Sequence, residues 1–151
     1  AYQGDSKAQF YLGYLYEKGR GVLQDYNQAV YWYSKSAQKG YSKAQFKVGF
    51  MYLEGRGVSQ DYKEAIYWYK KAAEQGIVEA KYNLGFIYLE GKGVVQDTKL
   101  AAYWFKKAAE QGDADAQYNL GYLYEFGLGV ITSGKGLTLI TWSGVAVPFE
   151  E

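Results

Sequence analysis

The stretch QFKVGFMYLEGRGVSQDYKEAIYWYKKAAEQG, residues 45–76, decides the fold. Its second half opens on Asp61 and carries Ala65, Trp68, Tyr69, Ala72 and Ala73 on one side of a helix that ends at Gly76. Asp61 is placed to cap that helix, and Glu64, three residues on, to reach back to it. The pair Asp25 and Gln28 has the same spacing, whereas Asp97 faces Leu100 and lacks a reciprocal partner. We call this second element helix B. In the next stretch, residues 77–90 place Ala80, Leu84, Ile87 and Tyr88 at helical spacing, which predicts a preceding amphipathic element, helix A. Helix A stops at Gly91-Lys92-Gly93-Val94, where two glycines supply the positive φ of a helix end and a tight turn.

The hairpin repeats. Gly13, Gly49, Gly85 and Gly121 are spaced by 36, as are Gly40, Gly76 and Gly112. The same period holds for Ala8/Ala44/Ala80/Ala116, Tyr16/Tyr52/Tyr88/Tyr124, Asp25/Asp61/Asp97 and Trp32/Trp68/Trp104. A period of this length predicts an all-α solenoid of helix-turn-helix units. Small residues at Ala65, Ala72, Ala80 and Gly85 let the two helices approach, and Trp68 and Tyr88 are expected to fill the space between hairpins. One hairpin buries too little to be stable alone, so neighbours must stack. The recurring aromatics, the three Trp and the Tyr16 series, therefore read as core and not as cofactor ligands.

These residues resemble the Sel1-like repeat, a relative of the tetratricopeptide repeat with a longer, glycine-bearing turn. Residues 45–76 meet the pattern A…LG..Y..G.GV..D...A..W..KAA..G at nearly every position. The resemblance covers residues 1 to about 130 and implies a right-handed α-α superhelix that serves as an adaptor in protein complexes. Complete units are expected over residues 5–40, 41–76 and 77–112, then a partial unit over 113–130 whose helix A covers 113–125. Residues 1–4 match the end of a unit, Ala73 to Gly76, which suggests a piece of a longer array. After Val130 the pattern is lost: Ser133 stands where Asp is expected, Leu137 for Ala, Ile140 for Trp and Pro148 for Gly. Residues 131–151, rich in Gly, Thr and β-branched residues, are expected to form a non-helical tail.

In tetratricopeptide-like superhelices the A helices line the concave face, exposing the positions three before and one after the motif glycine. Here those are Phe10 and Tyr14, Phe46 and Phe50, Tyr82 and Phe86, Tyr118 and Tyr122, all aromatic. Asn83 and Asn119 stand two before the glycine, where the related family uses Asn to bond a peptide backbone. The resemblance thus implies a groove that grips a protein or peptide segment. The alternative for the rings is packing between adjacent A helices, half exposed. Lys7, Lys18, Lys43, Glu54, Glu79, Glu90 and Asp115 suggest a basic-to-acidic gradient that orients a ligand; a solvated face is the plainer reading of each.

Composition argues against chemistry. The chain has 151 residues, no Cys and no His, which removes disulfides, thiolate nucleophiles, imidazole bases and the usual zinc ligands. No catalytic, cofactor-binding or metal site is expected, and no cofactor. Glu54, Glu90 and Glu125 recur near the turn with the repeat, which suits solvated turn residues better than a carboxylate pair. The GRGV and GKGV segments lack the Lys-Ser/Thr and the strand of a phosphate loop. A net charge of +1 with interleaved signs gives no reason to expect nucleic acid. No apolar run nears the roughly 20 residues of a membrane-spanning helix. A cysteine-free chain leaves the compartment open. The function expected is that of a non-enzymatic scaffold binding protein or peptide; the alternative is a self-associating module whose tail docks into a neighbouring molecule's groove.

Overall fold

A computed structural model describes residues 4–125 and, in the tail, the backbone of residues 138–140 and 146–148. Among the described residues there are seven helices: α1 (Ser6–Lys18), α2 (Tyr26–Gln38), α3 (Ser42–Glu54), α4 (Tyr62–Glu74), α5 (Val78–Glu90), α6 (Thr98–Glu110) and α7 (Ala114–Glu125). Odd-numbered helices are A helices and even-numbered ones B helices, at the expected places. Two short strands, β1 (Thr138–Ile140) and β2 (Ala146–Pro148), pair antiparallel with Leu139 opposite Val147. They agree with a non-helical tail; the remaining tail positions lie outside the described residues. The chain divides after Ala80 into two compact units, each taken here by itself.

In the first unit α2 packs against both α1 and α3, and α3 against α4. Its core holds Ala29, Val30, Tyr33 and Ala37 from α2 with Ala44, Val48 and Met51 from α3. In α4 the buried set is Ala65, Ile66, Tyr69, Ala72 and Ala73, one face at the 3.6-residue period. In the second unit α6 turns Ala101, Ala102, Phe105 and Ala108 inward and packs against α7. The strand β1 runs beside α7.

The ring at the centre of each hairpin is not the tryptophan. Tyr33, Tyr69 and Phe105 are fully buried, while Trp32, Trp68 and Trp104, expected as core, are half-buried. Trp68 packs on the margin of the core, and each Trp meets the exposed Tyr before it edge-on, as in the Tyr67 and Trp68 pair at 5.1 Å. The cause is the glycine of helix A. A Cβ at Gly13 would stand 2.6 Å from the Tyr33 ring, at Gly49 2.8 Å from Tyr69 and at Gly85 2.7 Å from Phe105. The residue after the Trp therefore lies flush on the A-helix backbone, and the Trp is turned toward the rim. In the Tyr16 series Tyr88 is buried, while Tyr16, Tyr52 and Tyr124 are half-buried.

The turn satisfies its own backbone groups. Of the last four carbonyls of α3, Met51 accepts from the N–H of Gly55 and Arg56, Tyr52 from the Asp61 N–H, and Leu53 from the Gln60 side-chain amide at 2.7 Å. Gly55 has φ +67°, the left-handed region that lets the chain double back. Asp61 caps α4 by accepting from the N–H groups of Lys63 and Glu64. The reciprocal half of the capping box differs from expectation: the N–H of Asp61 donates to the Tyr52 carbonyl, so no Glu64 side chain is needed there. The same bond joins Asp25 to Tyr16 and Asp97 to Tyr88, so Leu100 in place of an acid leaves no orphan. Gln24 and Gln96 repeat the Gln60 bond, to the carbonyls of Glu17 and Leu89.

Candidate protein-binding face

The eight aromatic positions of the A helices form two kinds of site. Three residues before the glycine, Phe10, Phe46 and Tyr82 are half-buried. Each leans on the central ring of its own hairpin: Phe10 on Tyr33 at 5.4 Å between centroids, Phe46 on Tyr69 at 5.6 Å, Tyr82 on Phe105 at 5.6 Å. Phe10 also meets Tyr41 edge-on at 5.3 Å. The half-exposure anticipated as an alternative is present, with a B-helix ring as the partner in each case.

One residue after the glycine, Tyr14 and Phe50 are half-buried and Phe86 is exposed, and each carries a cation from its turn. Arg20 stands 5.6 Å from the Tyr14 centroid, Arg56 5.5 Å from Phe50 and Lys92 5.2 Å from Phe86. Tyr118 and Tyr122 on α7 are 60% and 48% exposed.

The two asparagines differ. Asn119 donates to the Tyr82 hydroxyl at 3.4 Å, tying α7 to α5. The half-buried amide of Asn83 has no hydrogen-bond partner among the described residues. Lys47 holds the equivalent position in the first unit and reaches Glu17 at 3.0 Å. Glu17, only 5% exposed, also accepts from the Tyr33 hydroxyl. Burial pushes the Glu17 carboxyl up, but the Tyr33 hydrogen bond and the Lys47 and Lys18 ammonium groups outweigh it and hold the carboxyl below its ordinary value. Burial and the Glu17 carboxylate push the Tyr33 phenol up.

This trio is a polar break in the repeat that sequence reading missed. Leu53 and Leu89 hold the Glu17 position, and Asn83 and Asn119 that of Lys47. Its groups satisfy one another, an ionised acid against a cation and a protonated phenol, so it cross-links α1, α2 and α3 and leaves no base or nucleophile unengaged. Among the described residues no cluster of carboxylates could hold a metal ion. The turn cations were also missed, though Arg20, Arg56 and Lys92 recur visibly at 36 residues.

An open apolar hollow on α1 is lined by Ala8, Tyr11, Leu12 and Leu15. The equivalent Ala44, Val48 and Met51 of α3 are fully buried, so the hollow is the seat that α2 fills on α3.

The Sel1 repeat profile matches residues 6–41, 42–77, 78–113 and 114–133. The chain belongs to the Sel1 repeat family. Solved structures it resembles include two described by this repeat. c5321, a protective antigen of uropathogenic Escherichia coli with this fold, is 48% identical at a TM-score of 0.82, over 85% of this chain and 27% of that one. A Sel1 repeat protein from Oxalobacter formigenes is 42% identical at 0.81, over 85% of this chain and 53% of that one. Helicobacter pylori cysteine rich protein B is 25% identical at 0.62, over 80% and 98%. The chain thus spans about a quarter of the first and half of the second. No curated protein sequence matches it. The fold is the all-α solenoid of Sel1 repeats, here without a single cysteine.

Proposed function

We propose that this chain is a non-enzymatic scaffold that binds a protein or peptide segment on the aromatic face of its A helices, the side that the resemblance assigns to the concave surface. Sel1 repeat proteins generally mediate protein–protein interaction. The observation that carries the reading to this face is its run of exposed or half-exposed rings at fixed helical positions, ending in Tyr118 and Tyr122. Rings with an apolar body and a polar edge supply large contact area at low entropic cost. Asn83, whose amide has no partner among the described residues, is the group that would bond a ligand backbone, and Asn119 orients Tyr82.

A displayed library of random twelve-residue peptides, selected on the immobilised chain, tests this. Peptides that bind the face lose at least about tenfold in affinity to a chain carrying Phe50→Ser, Phe86→Ser and Tyr122→Ser, which takes rings from the A helices of both units, since aromatic anchors carry ~1 kcal/mol or more each. Selected peptides that bind this triple variant undiminished would place the contact elsewhere.

The second reading is self-association through the tail. It rests on the paired strands β1 and β2 that depart from the repeat, with β1 beside the last helix. Sedimentation-equilibrium mass of the full chain beside one ending at Val130 decides it: a monomeric full chain removes this reading.

A further inference from the structure

Arg56 follows the turn glycine Gly55 and meets rings of both α2 and α3. Its guanidinium lies between two rings, 5.5 Å from the Phe50 centroid and 5.8 Å from that of Tyr26, the first residue of α2. The backbone sets this up. A Cβ at Gly57 would stand 2.3 Å from the Tyr26 carbonyl oxygen, so the turn rests directly on the start of α2, and only glycine, here at φ +71°, allows it. Arg20 repeats the single-ring half of the arrangement over Tyr14.

The exposed Arg56 and Arg20 form no ion pair among the described residues. Glu17, in the same unit, is engaged by Lys47 and Lys18. The α3 carbonyls Met51, Tyr52 and Leu53 already have donors, so the Arg56 side chain is not needed to satisfy the helix end. A planar cation pinned between rings keeps the N–H donors of its edge in place, the fork that a carboxylate accepts two at a time.

We propose that Arg56 is a carboxylate anchor and that the segment bound by the first unit is acidic, with an Asp or Glu side chain on the Arg56 guanidinium beside the Phe50 ring. Arg20 over Tyr14 offers a weaker copy of the site one repeat earlier. The inference rests on the peptide-binding reading and adds the chemistry of the partner.

The test selects the same random twelve-residue library on the wild-type chain and on Arg56→Gln, with circular dichroism melting to show that both are folded. Wild-type selection enriches Asp and Glu beside an apolar residue, and the Arg56→Gln selection keeps the apolar preference without the acid. For one synthesised binder, exchange of its acidic residue for the amide weakens binding about tenfold on the wild type, the scale of one charge-assisted hydrogen-bonded pair, and leaves binding to Arg56→Gln unchanged. Arg56→Lys, which keeps charge and loses the fork, falls between. Binders without acidic enrichment, or an acid-to-amide loss equal on both chains, overturn the anchor and leave the aromatic face standing. Binders indifferent to Arg56 and to the triple Ser variant of the rings remove both.

Discussion

Gly49 lies directly beneath the ring of Tyr69, with a methyl group's place on the glycine only 2.8 Å from the ring carbon Cδ1. Helices α3 and α4 close on this contact, and Gly13 with Tyr33 and Gly85 with Phe105 repeat it. The ring is fully buried and cannot retreat without moving α4. Gly49→Ala should therefore destabilise the protein by about 1–3 kcal/mol, although alanine is the better helix former by ~1 kcal/mol. Urea unfolding of both chains measures it; a variant as stable as the wild type would mean that the hairpin yields easily.

The caps give a second prediction. Asp61→Ala and Asp97→Ala should each cost about 1 kcal/mol, Asp61→Ala the more, because Asp61 caps the N–H groups of both Lys63 and Glu64 and Asp97 that of Leu100. Glu64→Ala should cost less than ~0.5 kcal/mol, since the Tyr52 carbonyl takes the Asp61 N–H. Thermal melts of the three variants compare them; a Glu64 effect as large as that of Asp61 would restore the reciprocal capping box.

Gln60→Ala leaves the Leu53 carbonyl at the end of α3 without its protein donor. Its loss should cost roughly 0.5–1.5 kcal/mol. Amide hydrogen exchange should quicken first in the turn after α3, because that is where the orphaned group lies. Unchanged exchange there would show that water replaces the amide without loss.

Glu17 predicts a dependence on pH. Its carboxyl is depressed in the folded state from an ordinary 4.5, so the stability it adds is fully present above that value and is lost as pH falls below it. Glu17→Gln should cost about 1–3 kcal/mol at pH 7, where it leaves Lys47 without its counter-charge. The gap to the wild type should close toward pH 3. Tyr33 works from the other side: its raised phenol adds stability below an ordinary 10.0 that is lost as pH climbs past it. Urea midpoints from pH 3 to 11 for wild type, Glu17→Gln and Tyr33→Phe test both arms; a gap independent of pH would sink the ionic account.

The chain's own letters were enough for the repeat, the alternation of A and B helices, the glycine turns and the Asp caps. Those features depend on groups a few residues apart, and a 36-residue period states each of them several times. They were enough, too, to bring out the eight aromatic positions of the A helices. What those letters left open depends on groups far apart in the chain. That Tyr69 and not Trp68 lies at the hairpin's centre follows from the flat surface at Gly49, twenty residues earlier. That Leu12 stays half-exposed while Val48, the same letter class in the same register, is fully buried follows from whether a B helix sits on it. Glu17 meets Lys47, and Arg56 meets Tyr26, across thirty residues each. Local propensity sets where a helix begins and ends, because its hydrogen bonds close within one turn. Which ring is core, which amide is engaged and which cation is left without a carboxylate are settled only when hairpins stack, because burial and ion pairing depend on distance in space and not along the chain.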